Sequence, residues 1–404
     1  MTLLTGTAIA QIIPVAISPL LTRLYSPDEI GVYTIFFATT NILAIFISGR
    51  FDQAILISKH KKDNYETLKL VLAYSFIISI ILFIVLLCFK TYIFEFLGIS
   101  SLGYWGYLIP ITGFLIALFQ SYNYWLNRND KYLEISKGKV IQGVFTAIIH
   151  VASSILNVIG LVLGRFLGIL MSSMYLLIAS RKFTPKNVFI NDYESLKQKL
   201  DEHKSFPLYT MPNALLNSVS NNLPVYLLEN LYSAKVTGFY SWSVRIIQGP
   251  MGMLTASIQQ VFFRKASELY NNGENLLSLT KQMYQKLFLI GIIPYTLIFI
   301  FAPDIFAFVF GPTWRVAGEY TMYLVPWFFI MFLNSPISSL ILILKKQKQY
   351  LIFEIALLIF RAISLLLGYY LFNDPELSVI LYSIVGFIFN ILLSVVLLKL
   401  SKNA

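Results

Sequence analysis

The sequence predicts an all-α integral membrane fold, with about 12 transmembrane helices in two pseudo-symmetric six-helix bundles around a central cleft. Three observations predict it. The chain is 57% hydrophobic and only 13% charged, with a mean hydropathy of +0.70. Apolar stretches of membrane-crossing length run almost from end to end. A ten-residue pattern recurs half a chain apart. A soluble fold has too few charges here to cover so much apolar surface.

A hydrocarbon core of roughly 30 Å takes ~20 helical residues to cross. The spans are expected at 3–22, 30–49, 67–89, 102–126, 138–158, 162–180, 209–229, 239–262, 285–302, 317–343, 350–372 and 377–399. The longest gap, 181–208, is short and charged, and no room is left for a soluble catalytic domain. The first span carries no Lys or Arg before Arg23 and no cleavage signal after a basic start, so it reads as a retained helix.

The net charge of +11 is a topology signal, not one for nucleic acid. Basic residues crowd alternate gaps: Arg50, Lys59, Lys61 and Lys62 after span 2, and Arg128, Lys131, Lys137 and Lys139 after span 4. Arg181, Lys182, Lys186, Lys197, Lys199 and Lys204 follow span 6, and the pattern continues after spans 8, 10 and 12. The odd-numbered gaps hold only Arg23, Lys90, Lys235 and Arg315. Even-numbered loops and both termini are therefore expected in the cytoplasm. Cys88 is the single cysteine, so the chain can form no internal disulfide or cysteine metal cluster.

The repeat lies just after spans 1 and 7. Leu24 to Tyr33 and Leu231 to Tyr240, 207 positions apart, both read L-Y-S-x-x-x-x-G-x-Y. Extended without gaps, Gly49-Arg50-Phe51-Asp52-Gln53 falls on Ala256-Ser257-Ile258-Gln259-Gln260. Both copies begin on the outer side, which gives a parallel repeat of six spans per half. The lobes are expected at 1–200 and 201–404. Tight turns alone could converge on Gly and Tyr, but five shared positions at matching places favour duplication. Span 1 contains Gln11, Pro14, Ser18 and Pro19. Span 7 contains Pro212, Asn213, Asn217, Ser218, Ser220, Asn221, Asn222 and Pro224. Proline leaves a carbonyl unpaired, which hydrocarbon cannot satisfy, so a helix–break–helix facing a wet cavity is expected in both.

Once the basic residues at the loop edges are assigned, four remain inside the spans: Lys69, Arg165, Arg245 and Arg361. A central charge costs ~2.5–3.5 kcal/mol on insertion scales. Lys69 and Arg165 lie near span ends and can snorkel. Arg245, about two turns into span 8, can snorkel or point into the cavity. Arg361 lies mid-span and has the poorest path to the surface, which makes it the leading anion-binding candidate. Glu354 shares its helical face but lies ~10 Å away along the axis, too far to pair. Arg50 and Asp52 border the inner end of span 2, as a gate or as solvated surface charges. His150 reads as a satisfied core histidine. Gly160, Gly164 and Gly168 form a small-xxx-small ladder for close helix packing. Glu229 and Glu319 are expected to be solvated. No G-x-S-x-G elbow, P-loop or H-E-x-x-H occurs, so no enzyme, cofactor or metal site is expected.

Several segments resemble the polysaccharide-transporter family of the multidrug/oligosaccharidyl-lipid/polysaccharide (MOP) exporters, whose members include O-antigen and capsule flippases. They are Gly6-Thr7-Ala8-Ile9-Ala10-Gln11-Ile12-Ile13-Pro14, Leu20 to Pro27, Gly31-Val32-Tyr33, Gly49 to Ile55, and Arg245-Ile246-Ile247-Gln248-Gly249-Pro250 through Gln259-Gln260-Val261-Phe262. Similar proteins often carry a short basic leader; here the hydrophobic run starts at once, so the start is expected upstream or the leader is missing.

The resemblance implies a flippase that moves an undecaprenyl-diphosphate-linked oligosaccharide across the bacterial cytoplasmic membrane by alternating access. It implies coupling to H+ or Na+ in some members, and a polysaccharide polymerase and chain-length machinery as partners, besides membrane lipids. On this reading Arg361, Arg245, Asn217 and Asn221 would line the substrate cleft, and Arg50, Asp52 and Glu354 would serve gating or ion coupling. The alternatives are another MOP-type exporter, moving drugs or a peptidoglycan-precursor lipid, and a membrane polysaccharide polymerase. The polymerase reading would call for a large outer loop, and the outer gaps are short.

Overall fold

The computed structural model describes residues 2–57, 61–181 and 193–402; the side chain of Gln11 and the loop residues Lys59, Lys182 and Lys186 lie outside it. Every regular element among the described residues is helical. Contacts group the chain into two units, residues 1–230 and 231–404.

The first unit contains α1 (Thr2–Leu24), α2 (Pro27–Ser48), a short α3 (Phe51–Ile57), α4 (Lys61–Leu97), α5 (Leu108–Arg128), α6 (Tyr132–Ala152) and α7 (Val158–Arg181). A linker helix α8 (Tyr193–Glu202) and then α9 (Met211–Leu231) follow. The second unit contains α10 (Ala234–Asn271), α11 (Leu277–Phe310), α12 (Arg315–Ile337), a single turn α13 (Leu340–Ile343), α14 (Gln347–Leu367) and α15 (Pro375–Lys402). Each expected span falls on one of these helices. Among the described residues eight helical stretches are long and apolar enough to cross a bilayer. Of the other four expected spans, α1 contributes an apolar stretch over Ile12–Leu24, and α6, α9 and α10 carry more polar or proline-rich sequence.

The repeat is structural as well as sequential. In the first unit α5 packs on α2, α4 and α7, and α6 packs on α7. In the second unit α12 packs on α10, α11 and α15, and α14 packs on α15. The pattern is the same, with α2, α4, α5, α6 and α7 replaced by α10, α11, α12, α14 and α15. The repeated residues do matching work in each copy. Ser26 caps α2 in a full capping box with Glu29, and Ser233 caps α10 by accepting from the Val236 N–H. The Tyr25 hydroxyl donates to the His150 carbonyl at 2.6 Å, which ties the start of α2 to the end of α6. The Tyr232 hydroxyl donates to the Asp374 carbonyl at 3.0 Å, beside the start of α15. Tyr33 and Tyr240 are both buried, edge-on to His150 and Tyr382 respectively.

The expected breaks in spans 1 and 7 are absent: α1 and α9 run on as continuous helices through Pro14, Pro19 and Pro224. Local hydroxyls explain this for Pro19. Proline at 19 frees the Val15 carbonyl, and the Ser18 hydroxyl donates to it at 2.6 Å. The break falls instead after α2. Gly49 and Arg50 are consecutive left-handed residues, φ 54° and 58°, and they turn the chain into α3. A left-handed non-glycine residue is held at a cost of about 1–3 kcal/mol. The ungapped extension of the repeat fails here, because Ala256 to Gln260 lie inside the uninterrupted α10.

The glycine ladder acts as expected, letting α7 lie against α6. A Cβ added at Gly164 would come within 2.0 Å of the His150 ring, and one at Gly168 within 2.0 Å of Thr146 Oγ1. His150 is a buried, satisfied core residue, its Nε2 lying 3.0 Å from the Leu161 carbonyl. Gly164→Ala should therefore overpack the α6–α7 seam and cost about 1–3 kcal/mol. A lowered melting temperature in detergent checks it; unchanged melting would show that the seam can relax.

Candidate functional site

The second unit holds the most unusual charge among the described residues. Arg361 sits midway along α14, is 8% exposed, and lies within a helix of membrane-crossing length. Its guanidinium stands 4.6 Å from the ring centroid of Trp327 on α12 and 5.6 Å from that of Tyr382 on α15. Tyr240 on α10 is within its electrostatic reach. Gly386 makes room for this cage, since a Cβ there would come within 2.5 Å of the Trp327 ring. No acidic side chain pairs with Arg361 among the described residues, and its buried Nε has no hydrogen-bond partner.

The energetics explain how the charge is tolerated. A desolvated cation–π contact contributes about 2 kcal/mol, and two rings offset an insertion cost of ~2.5–3.5 kcal/mol. The rings satisfy the charge but not the in-plane N–H donors. Those donors form a planar fork that matches the oxygens of a carboxylate or phosphate. The site is thus a buried cation with an open demand for an oxyanion.

The other candidates in this unit do not converge on Arg361 through any direct contact among the described residues. Arg245 is exposed on α10, its guanidinium 5.3 Å from the ring of Trp242. It is neither folded into the core nor paired with an acid. Glu354 is half-buried on α14 beside Tyr350 and makes no ion pair with Arg361. The cage rings Trp327 and Tyr382 were not singled out from sequence. In a chain with 25 Tyr and 5 Trp, only the packing of α15 on both α12 and α14 picks them out.

In the first unit, Asn217 and Asn221 lie on an exposed face of α9, with the Asn221 amide donating to Asn217 Oδ1 at 2.9 Å. Exposed amides one turn apart on a span give a polar face that suits water or sugar hydroxyls. The C-terminal end of α9 is held within this unit by Tyr226, whose hydroxyl lies 3.0 Å from Thr39 Oγ1. Glu229 packs against Gly98 and is not fully solvated, contrary to expectation.

Asp52 is fully buried on α3, just past the C-terminal end of α2, where solvated surface was one of the two readings. Neither carboxylate oxygen has a hydrogen bond of ordinary geometry. Burial pushes its pKa up to about 6; the nearby Arg50 charge, the Gln53 and Asp52 backbone N–H groups and Ser48 offset only part of that rise. Arg50 makes no ion pair with it, and its own buried Nε is unpartnered. The left-handed turn sets both side chains here. Arg165, expected to reach the surface, instead turns towards α2. It lies 4.7 Å from the Phe37 ring centroid and 3.4 Å from Asn41 Oδ1. Lys69 lies near the N-terminal end of α4, 4.9 Å from the Tyr65 ring centroid.

Residues 20–319 match the profile of a family described as polysaccharide biosynthesis protein. No curated protein matches the sequence significantly. Among solved structures, the lipid II flippase MurJ in an inward closed conformation is similar over 99% of this chain and 89% of its own, at 16% identity and a TM-score of 0.75. A MATE transporter solved with the ligand MaL6 is similar over 100% and 95%, at 15% identity and a TM-score of 0.61. A MOP-superfamily transporter from Pyrococcus furiosus, whose binding pocket is described as reversed in polarity, is similar over 100% and 93%, at 14% identity and a TM-score of 0.59. With a match covering most of its length and the fold of MOP transporters, this multi-pass membrane protein belongs to the polysaccharide biosynthesis protein family.

Proposed function

We propose that the chain is a flippase that carries an undecaprenyl-diphosphate-linked oligosaccharide from the cytoplasmic to the outer leaflet of a bacterial cytoplasmic membrane. It works by alternating access, and no bond is made or broken. The observation that carries this reading is Arg361, a buried cation with two aromatic neighbours, no acid and unpartnered donors. A diphosphate supplies the oxygens those donors lack, and the desolvation of both ions is offset by charge-assisted hydrogen bonds. The exposed Arg245 offers a second contact for the charged group, and Asn217 and Asn221 offer amides to sugar hydroxyls. Asp52 titrates within the physiological range and is the candidate for H+ coupling, with Arg50 beside it and Glu354 as the second carboxylate; Na+ is the other candidate ion. A polymerase and chain-length machinery would take up the product. The family match favours a glycan over a drug or a peptidoglycan-precursor lipid as cargo.

The test is reconstitution. Proteoliposomes loaded with a labelled lipid-linked oligosaccharide should show protein-dependent movement of the glycan to the side reached by an impermeant glycosidase. If the glycan stays put while a peptidoglycan-precursor lipid or a drug moves, the cargo assignment is wrong. The crowding of basic residues in the even-numbered loops supports both termini lying in the cytoplasm. A reporter active only in the cytoplasm should be active when fused at the C-terminus, and an inactive fusion would reverse the topology.

A further inference from the structure

The C-terminal end of α4 carries a cation that the reading above does not use. The span Asn64–Leu97 is the most apolar of the eight candidate spans, yet little of it is buried in the protein, so its open face meets lipid. Its apolar window, 67–89, covers ~35 Å as a helix, enough to cross a hydrocarbon core of roughly 30 Å. At Phe89 the backbone leaves helical geometry, with φ −118° and ψ 22°. Lys90 comes next, at the edge of the hydrocarbon.

Past the bend the chain folds into a packed corner. Phe94, Ile99, Leu102 and Gly106 are buried. A Cβ at Gly106 would come within 2.0 Å of the Phe94 ring, and Gly98, at φ 68°, turns the chain against Glu229 of α9. This corner brings three rings to one ammonium. Lys90 Nζ stands 4.5 Å from the ring centroid of Tyr104, 5.2 Å from that of Tyr107 and 5.6 Å from that of Phe94. A lysine that only snorkels carries its head out into water. This one is drawn back over rings at cation–π distance. The ring faces fix the ammonium but leave its N–H groups without an oxygen acceptor. Lys90 makes no ion pair among the described residues, and the Tyr104 and Tyr107 hydroxyls make no hydrogen bond there. Tyr104 is 81% exposed, so the cluster is open to a ligand.

Depth and charge decide the ligand. The anionic group that the bilayer presents at the edge of its hydrocarbon is a lipid phosphate. A zwitterionic headgroup brings its own cation to that phosphate, whereas an anionic phospholipid leaves the charge to the protein. Ile80, Ile84 and Leu87, on one helical face and each exposed, form an apolar stripe that ends one turn before Lys90 and can take an acyl chain. We propose that Lys90, with the phenols of Tyr104 and Tyr107, binds the phosphate of an anionic phospholipid. Charge-assisted hydrogen bonds from the ammonium supply the attraction. The site belongs to the first unit and does not depend on which cargo is moved.

The test uses the whole protein in phosphatidylcholine nanodiscs doped with a phosphatidylglycerol that carries a photoreactive headgroup. Labelling should map to residues 90–107, and unlabelled phosphatidylglycerol should compete it away while extra phosphatidylcholine does not. Lys90→Gln should cut labelling of this segment at least fivefold, and Lys90→Arg should keep at least half. Lys235→Gln, at an exposed position in the second unit, should stay within twofold of wild type. If Lys90→Gln folds poorly, Tyr104→Leu, at its exposed position, should still lower labelling at least twofold. Labelling that misses 90–107, or that Lys90→Gln leaves unchanged, overturns the proposal. Equal competition by phosphatidylcholine overturns it as well. Stronger competition by a polyisoprenyl phosphate would assign the site to the lipid carrier, and competition by inorganic phosphate would assign it to a soluble anion; either result overturns the phospholipid assignment.

Discussion

Arg361→Ala should lower glycan-lipid transport by roughly 10- to 150-fold, the equivalent of one charge-assisted hydrogen bond worth about 1.5–3 kcal/mol. The variant should still insert and melt no lower than wild type. Wild-type Arg361 keeps an unpartnered buried Nε and carries an insertion cost of ~2.5–3.5 kcal/mol, which alanine removes. The loss of two cation–π contacts and the space left beside Trp327 work against that gain, so stability should change little while transport collapses. Arg361→Lys should recover little of the activity, because an ammonium is a point charge and cannot present a planar fork. Transport in proteoliposomes together with melting in detergent checks both halves. Normal transport by Arg361→Ala would remove this residue from cargo binding.

Asp52→Asn should make the protein more stable at neutral pH and flatten the pH dependence of transport. The sign follows from proton binding. The folded-state pKa of about 6 lies above the ordinary value of 3.8, so the folded protein holds this proton more tightly than the unfolded chain does. Stability contributed by the neutral carboxyl is complete below pH 4 and is lost as pH rises through 6. The loss is on the order of 3 kcal/mol at pH 7.5, for a shift of about two units at 1.36 kcal/mol each. Asparagine keeps the shape without the charge, so its advantage should appear above pH 6 and vanish near pH 4. Melting curves from pH 4 to 8 check this. A constant difference between the two proteins across that range would mean that Asp52 does not titrate there. If Asp52 couples transport to protons, the wild-type rate should also change between pH 5 and 7, and that change should be missing in Asp52→Asn.

Hydropathy made the fold legible because bilayer thickness imposes a length on every apolar helix, and each expected span falls on a helix. It could not show where those helices end. α10 and α11 run to 38 and 34 residues, well past the apolar windows at 239–262 and 285–302, whereas α4 is interrupted at Phe89 (φ −118°, ψ 22°), the last residue of its window at 67–89. The polar stretches of α10 after 262 and of α11 before 285 continue the same helical backbone hydrogen bonding, where hydropathy gives no signal. The repeat was legible through Leu24 to Tyr33 because those residues cap and tie one corner in each unit. It faded at Gly49, where only one copy breaks. Prolines alone misled about α1, since the neighbouring Ser18 hydroxyl satisfies what Pro19 frees. For the candidate site, sequence could identify Arg361 as a costly charge. It could not identify the rings around it, which come from α12 and α15, two other helices of the second half of the chain.

The unbroken course of α10 has a mechanical consequence. It passes Pro250 without ending, and its 38 residues make a rod of ~57 Å against a hydrocarbon layer of roughly 30 Å. The part of it that carries Arg264 and Lys265 therefore stands clear of the lipid like the handle of a crank. Tilting a rigid rod of ~57 Å by 10° swings its far end by roughly 10 Å, so a small repacking near Ala234 would be magnified into a large stroke at Asn271.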